Sequence, residues 1–303
     1  MLPTHNGSAY LRQSINSCLS QTHDDIELIV VVDGSTDATS DIVESYKDSR
    51  LNILRNKTNE GLPQSLNKGF SSATGDYLTW TSDDNFYCPE AIARLLAFIR
   101  CSGCDFAYSN YYRLTEKDGR MLNPIIITPP DSPNFKNGNS IGACFLYTRD
   151  VMIGTGEYDA DAFLSEDYDY WIRVSRRFRM GHLNEALYYY RDNKEALSHR
   201  KRYQVRIASL LVMLKNHVVD YERASALYSR EVAEPIWVSR NRLLARELFA
   251  RRLGIRIAIL KRRAYSKLSL EILRDFANGT ISLPEARMRL SDLTQSIFAG
   301  LEL

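Results

Sequence analysis

IELIVVVDGSTD, residues Ile26 to Asp37, decides how this chain must be read. The apolar, β-branched run Ile26–Val32 suits a strand buried on both faces. It stops at Asp33-Gly34-Ser35-Thr36-Asp37, a turn whose Ser or Thr can cap the helix that follows to about Tyr46. Upstream, Ser8–Gln21 predicts a helix, with Leu11, Ile15, Cys18 and Leu19 at helical spacing. Downstream come a short strand at Leu51–Arg55, a helix at Leu62–Ala73 and a strand at Asp76–Thr81. Pro89 then falls in the first turn of a helix reaching about Arg100. Strands alternating with helices in this way predict βαβ units and a mostly parallel sheet, an α/β fold.

The rhythm loosens after Cys104. Asp105–Leu114 and Met121–Thr128 are strand-like and flank a Lys-Asp-Gly turn, which predicts a hairpin. Pro129–Asn139 reads as a loop, Ile141–Thr148 as a strand, Asp167–Phe178 as a helix and Leu183–Arg191 as a strand. From about Arg200 onward only helical periodicity remains. We therefore expect two domains, residues 1–199 and 200–303, of which the second is all-helical.

Charge follows the same division. The whole chain holds 39 Lys and Arg against 37 Asp and Glu, a net of +2 that conceals an asymmetry. Residues 200–303 carry 20 basic and 10 acidic side chains, a net of +10, which leaves −8 for residues 1–199. Such a split can mark an anionic partner. No apolar run approaches the ~18–20 residues of a membrane span, and the N-terminus has no basic and apolar leader, so no secretory signal is expected. Five cysteines, an odd number, argue against a disulfide framework and for a reducing compartment. Cys101-Ser-Gly-Cys104 is a lone pair, for which a helix end with two buried thiols is the better reading than a zinc site.

Several motifs are missing: the glycines of a dinucleotide site after Gly7, a P-loop, H-E-x-x-H and the Gly-x-Ser-x-Gly elbow. What the chain offers instead is carboxylates at strand ends, where open α/β sheets bind ligands. Asp33 either accepts hydrogen bonds from a base or ribose or merely starts an Asx turn. Ser82-Asp83-Asp84-Asn85 is either a solvated turn or an oxygen site for Mg²⁺ or Mn²⁺ carrying phosphate. Glu166, Asp167 and Asp169 open a helix, where acids complement the dipole, and one facing a cleft would be a candidate general base.

Taken in order, these pieces resemble an inverting family 2 glycosyltransferase of the nucleotide-sugar-binding GT-A fold. The matching residues are Pro3-Thr4-His5-Asn6-Gly7, Ser20-Gln21-Thr22, Val31-Val32-Asp33-Gly34-Ser35-Thr36-Asp37 and Asn59-Glu60-Gly61. They continue through Asn67-Lys68-Gly69, Gly75-Asp76-Tyr77-Leu78, Ser82-Asp83-Asp84 and Glu166-Asp167-Tyr168-Asp169-Tyr170-Trp171-Ile172-Arg173, covering about residues 1–192. The resemblance implies a nucleotide pocket with Thr4 and Asp33, Asp33 on the base, and Asp83 beside them. Asn59, Gly61, Asn67 and Lys68 would form the loop and helix start flanking the nucleoside. Asp84 would hold a divalent cation, Mn²⁺ or Mg²⁺, on the donor diphosphate, with His199 a further metal or diphosphate ligand. Asp167 would be the catalytic base, with Glu166 its neighbour in the acidic pair and Trp171 and Arg173 packing or bracing the helix. It further implies a metal-dependent hexosyltransferase-like enzyme of cell-surface glycan synthesis. Its donor would be a UDP-sugar and its acceptor a glycan or lipid-linked hydroxyl.

Three positions depart from the family pattern. Ser82 replaces the first acid of D-x-D, Val32 replaces the acid before Asp33, and only Met1-Leu2 precede Pro3 where five or six apolar residues are usual. The last departure implies either a late start or a shortened first strand. The other class in view is a non-catalytic sugar-nucleotide-binding or scaffold protein on the same fold. Beyond the resemblance, Ala245–Lys267 interleaves apolar residues with eight Lys and Arg. A basic amphipathic helix there would lie on the inner face of a cytoplasmic membrane, or pack on the catalytic domain or a second subunit. No nucleic-acid motif accompanies the charge.

Overall fold

Leu2–Thr4 (β1), Leu28–Asp33 (β2) and Leu51–Asn56 (β3) form a parallel three-stranded sheet with β2 in the middle. This computed structural model describes residues 1–117, 120–193, 196–233 and 267–299. All six residues of β2 are buried, as befits a central strand flanked on both edges and covered by helices. The crossovers are Leu11–Leu19 (α1) and Thr39–Glu44 (α2), and Leu62–Ser72 (α3) follows β3, packing on β1 and β2.

The second sheet is mixed. It is built from Tyr77–Leu78 (β4), Phe86–Tyr87 (β5), Phe106–Leu114 (β6), Phe145–Thr148 and Met180–Arg191. A small ladder of Glu116–Lys117 (β7) and Arg120–Met121 (β8) precedes Ile125–Ile127 (β9), which returns antiparallel along β6. Phe145–Thr148 is therefore β10 and Met180–Arg191 is β11; the order across the sheet is β4-β10-β6-β11-β5. Of these pairings only β6 with β11 is parallel. Ala91–Ser102 (α4) covers one side, and Arg149–Thr155 (α5) and Glu166–Ser175 (α6) lie on the connection from β10 to β11.

Trp171 on α6 anchors an aromatic core. Its ring lies 4.7 Å from that of Phe145 and 4.9 Å from that of Phe106, both edge-on, and Tyr147 stacks on Phe106 at 5.7 Å. Each such pair adds about 0.5–1.5 kcal/mol beyond simple burial. α6 is thus seated firmly beneath whatever its N-terminus presents.

Two local expectations are corrected. The strand at Asp76–Thr81 shrinks to two residues, and beyond it the main chain turns to Met1: the Thr79 carbonyl accepts from the N-terminal ammonium and the Thr81 N–H donates to the Met1 carbonyl, both at 3.0 Å. The expected hairpin of Asp105–Leu114 with Met121–Thr128 forms: β9 runs antiparallel to β6, with Arg113 opposite Ile125, and β7 with β8 continues the ladder after a one-residue shift, with Glu116 opposite Met121. At Cys101-Ser-Gly-Cys104, Gly103 ends α4 in the left-handed region (φ 65°), which leaves Cys101 exposed and only Cys104 buried.

The chain divides into two compact units, Met1–Ala196 and Leu197–Leu303. In the second, helices span Leu197–Arg200, Arg202–Lys215, Tyr221–Tyr228, 267–277 and Leu283–Ala299. The last packs on Arg202–Lys215, with Ile207, Leu211, Ala286 and Leu290 fully buried. Asp220 caps Tyr221–Tyr228 by accepting from the Arg223 N–H at 2.8 Å. The basic segment Ala245–Lys267 lies outside the described residues except for Lys267. Among the described residues no helix is long and apolar enough to cross a membrane.

Candidate active site

Because β1, β2 and β3 are parallel, Thr4, Asp33 and Asn56 emerge on one edge. The loops that follow β1 and β2 are stitched together. Asn6, held at φ 53°, accepts the Thr36 N–H at 2.8 Å and donates its own N–H to Ser35 Oγ at 3.0 Å. The Gly7 N–H donates to Thr39 Oγ1 at 3.0 Å, and the Ser8 N–H to Asp37 at 3.2 Å. Against the desolvation that pushes Asp37 up, these donors from Ser8 and Thr39 hold it at about 2.

Asp33 does not form an Asx turn. Its carboxylate reaches across to the loop after β3. Oδ1 accepts from Asn56 Nδ2 and the Glu60 N–H, both at 2.8 Å, and Oδ2 accepts from the Gly61 N–H at 2.9 Å. Gly34 makes this approach feasible: at φ +61°, a Cβ there would sit 2.4 Å from the backbone of Thr58 and Asn59. Asn59 turns inward on the same loop, accepting the Gly61 N–H at 3.0 Å. Gly61 precedes α3 at φ 91°.

Asn67 and Lys68 correct the expectation of a helix start, since they lie in the middle of α3. Asn67 donates to the Tyr158 carbonyl and accepts the Tyr158 N–H, each at 2.8 Å, so both ends of its amide are engaged with backbone. The Lys68 ammonium donates to the Arg55 carbonyl at 2.8 Å and to Asn56 Oδ1 at 2.5 Å, closing the end of β3. Their role is to hold the walls.

Asp83 and Asp84 follow β4 in a segment fastened from several sides. Thr4 Oγ1 donates to Asp83 Oδ2 at 2.6 Å, and Ser14 Oγ to the Ser82 carbonyl at 3.0 Å. The Arg191 Nε donates to the Asp84 carbonyl at 3.0 Å, and Asn193 Nδ2 to Asp84 Oδ2 at 3.3 Å. Burial pushes Asp83 up to about 6, with Thr4 pulling it back and the Asp84 charge adding to the rise. Burial raises Asp84 too, opposed by Asn193 and Arg191. Gly7 packs on this pair so closely that a Cβ would fall 2.0 Å from Asp83 Oδ2.

At the start of α6, Asp167 Oδ1 accepts the Tyr168 N–H at 2.7 Å and Oδ2 accepts from Asn139 Nδ2 at 2.9 Å. Protein surrounds the carboxyl wherever it does not meet the cleft, and this desolvation raises it above the usual carboxylate range. Glu166 is buried beside it. Arg173 braces the helix from the other end: its Nε donates to Asp169 at 2.8 Å, and its other nitrogens to the Thr155 and Glu157 carbonyls, both at 2.8 Å.

A cleft of about 250 Å³ runs from Asp167 to the residues on either side of Asp83-Asp84: Trp80, Ser82, Asn85, Asn139, Gly142 and Asp167 are among the residues that line it. His199 belongs to the second unit, in the helix Leu197–Arg200. Asn56, Asn139, Arg191 and Asn193 are site-building residues that the sequence reading passed over. Asn56 and Asn193 end or follow strands, so the strand-end rule that found Asp33 applies to them equally. Asn139 sits in an irregular loop that carries no such signal.

A divalent cation fits this donor set. Two adjacent, half-buried carboxyls are shifted upward, with the Arg191 charge offsetting part of the rise at Asp84, and Mg²⁺ commonly uses one or two carboxylates with substrate phosphates and water completing its shell. Among the described residues no group of three or more His, Cys, Asp or Glu gathers to hold an ion by protein ligands alone.

The family model for glycosyl transferase family 2 matches residues 1–154. The chain belongs to this family. A relative, the glycosyltransferase GlyG of Streptococcus pneumoniae, is 32% identical over 78% of this chain and 74% of its own. WfaP of Escherichia coli, a UDP-Glc:α-D-GlcNAc-diphosphoundecaprenol β-1,3-glucosyltransferase, is 27% identical over 66% of this chain and 79% of its own. S. aureus TarS 1-349 in complex with UDP superposes with a TM-score of 0.55 at 18% identity, covering 98% of this family 2 chain and 88% of that one. That likeness shows the shared mixed α/β fold. The chain spans only about a third of the length of some curated relatives, such as an uncharacterized glycosyltransferase of Rickettsia felis, of which it covers 31%.

Proposed function

We propose that the chain transfers a sugar from a nucleoside-diphosphate sugar, UDP-linked as in the donor named for WfaP, to a hydroxyl of a lipid-linked glycan, with inversion. The observation that carries this reading is a cleft whose lining includes both Asp167 and the residues flanking Asp83-Asp84.

Asp167 accepts the proton of the attacking acceptor hydroxyl. Its raised affinity for protons suits that work near neutral pH, since a base is most effective when its pKa lies near the operating pH. The hydroxyl attacks the anomeric carbon opposite the departing diphosphate, which is why the configuration inverts. Thr4, Asp33 and Gly61 shape the nucleotide side, where Asp33 holds the loop 56–61 as a wall. A divalent cation bound through Asp84 would neutralise the charge that the leaving diphosphate gains. Asn193 and Arg191 fix the position of Asp84 for that contact. Trp80, Phe145 and Trp171 give the cleft an apolar side that lowers the local dielectric around Asp167.

The test is a panel of nucleotide-sugars offered to the purified chain with Mn²⁺ or Mg²⁺ and polyprenyl-diphosphate-linked acceptors. The expected result is transfer from one donor with inverted anomeric configuration, read by NMR of the product. Binding of a donor with neither transfer nor diphosphate release would overturn the reading in favour of a binding protein.

A further inference from the structure

Asn139 lies at the end of the Pro129–Asn139 loop, and its amide orientation is settled by two contacts. The Ile141 N–H donates to Asn139 Oδ1 at 3.1 Å, so the oxygen faces that backbone and Nδ2 is the end that meets Asp167 Oδ2 at 2.9 Å. The loop bearing it is fastened along its length. The Tyr108 hydroxyl donates to the Pro130 carbonyl at 2.6 Å, Asp131 pairs with His182 Nδ1 at 2.7 Å, and the Tyr168 hydroxyl donates to the Phe135 carbonyl. Phe135 is buried against the Tyr168 ring, centroids 5.9 Å apart. Asn139 therefore reaches Asp167 from a braced loop.

We infer that Asn139 is a positioning residue for Asp167, donating to the carboxylate so that it stays ionised and aimed while the base works. The inference rests on the reading of Asp167 as the base. An N–H donor favours the charged form of a carboxylate, whereas a second carboxylate at the same distance disfavours it. The Tyr168 N–H steadies Oδ1 in the same way, so Asn139 governs the other oxygen. The remaining ionisable groups on this wall are Glu166 beside it in the chain and the phenols of Tyr111, Tyr158, Tyr188 and Tyr190. Burial holds Tyr111, Tyr158 and Tyr188 above the ordinary phenol range, and every one of these groups is common to the variants compared below.

Asn139→Asp separates positioning from mere loop structure. It keeps the oxygen that accepts the Ile141 N–H and replaces only the donor to Asp167. The acid limb of the pH–rate profile should move up by about one unit or more, a loss of about tenfold at pH values below the limb that is recovered as the pH is raised. Asn139→Ala, which leaves no like charge behind, should shift the limb in the same direction by less. The same change is read without substrate by ¹³C NMR titration of the Asp167 carboxyl, assigned through its absence in Asp167→Asn. A titration in Asn139→Asp that superimposes on the wild type would overturn the inference. Failure of sugar transfer by the wild-type chain would instead refute the base reading, and the titration would still decide whether the two side chains are coupled.

Discussion

The Thr4 hydroxyl donates a 2.6 Å hydrogen bond to Oδ2 of Asp83, joining the end of β1 to a residue 79 positions away. Thr4 is buried, and the half-buried aspartate it serves is largely desolvated at its carboxylate. Thr4→Val keeps the shape and removes the donor. We expect a loss of about 1–3 kcal/mol in urea unfolding, because a buried acceptor loses its partner, together with weaker nucleotide-sugar binding by calorimetry. Unchanged stability would show that water replaces the hydroxyl there.

Gly7→Ala tests the closeness of the same corner. The new Cβ would meet Asp83 Oδ2 at 2.0 Å and Thr4 Oγ1 at 2.6 Å, so the Asp83-Asp84 segment must shift. The expected cost is about 1–3 kcal/mol of overpacking, with donor affinity falling more than the melting temperature suggests. Donor titration of a variant that still melts cooperatively is the deciding measurement.

Asp33→Asn probes the wall of the nucleotide side. An amide has one acceptor oxygen where Asp33 uses two, so at least one of the donors Asn56, Glu60 and Gly61 is left facing an NH₂ group. A loss of about 1.5–3 kcal/mol is expected, together with faster amide hydrogen exchange in residues 59–61. Unchanged exchange there would mean that the loop is held by other contacts.

Asp167→Asn should leave the fold and donor binding intact while lowering turnover by about 10²–10⁴-fold, the ordinary worth of a general base. Near-normal turnover would remove Asp167 from the mechanism.

The Asp83-Asp84 pair also makes a prediction about pH. Both carboxyls are raised in the folded chain, Asp83 to about 6, so each favours folding when protonated, and that contribution disappears as the pH rises through the raised value. Mn²⁺ with a nucleoside diphosphate should therefore raise the melting temperature more at about pH 7.5, where both groups are charged, than at about pH 5. Asp84→Asn should shrink the difference. An equal gain at both pH values would separate ligand binding from the pair.

The strand–helix alternation was readable because β2 is buried on both faces and has to be apolar throughout. Asp33, Asp84 and Asp167 stood out because strand ends and helix starts are where a short acid has something to hold. The partners of those acids were not readable. Asn139 and Asn193 act across 28 and 109 residues of sequence, and an asparagine looks the same whether it faces solvent or a carboxylate. Asn67 and Lys68 misled for a related reason. Their place in a motif is visible, yet their side chains serve the backbone of Tyr158 and Arg55.

The stitching of the loops after β1 and β2 bears on how such a chain can change over time. Asn6 is bonded to Ser35 and Thr36, and Gly7 to Thr39, so one loop's side chains hold the other loop's main chain. In each bond the donor is a main-chain N–H and the acceptor a side-chain oxygen, so loss of the oxygen at Asn6, Ser35 or Thr39 strands a donor that no change of the opposite side chain restores. Descendants of this sequence should therefore keep a short acceptor side chain at positions 6, 35 and 39, while the loop surfaces between them drift freely.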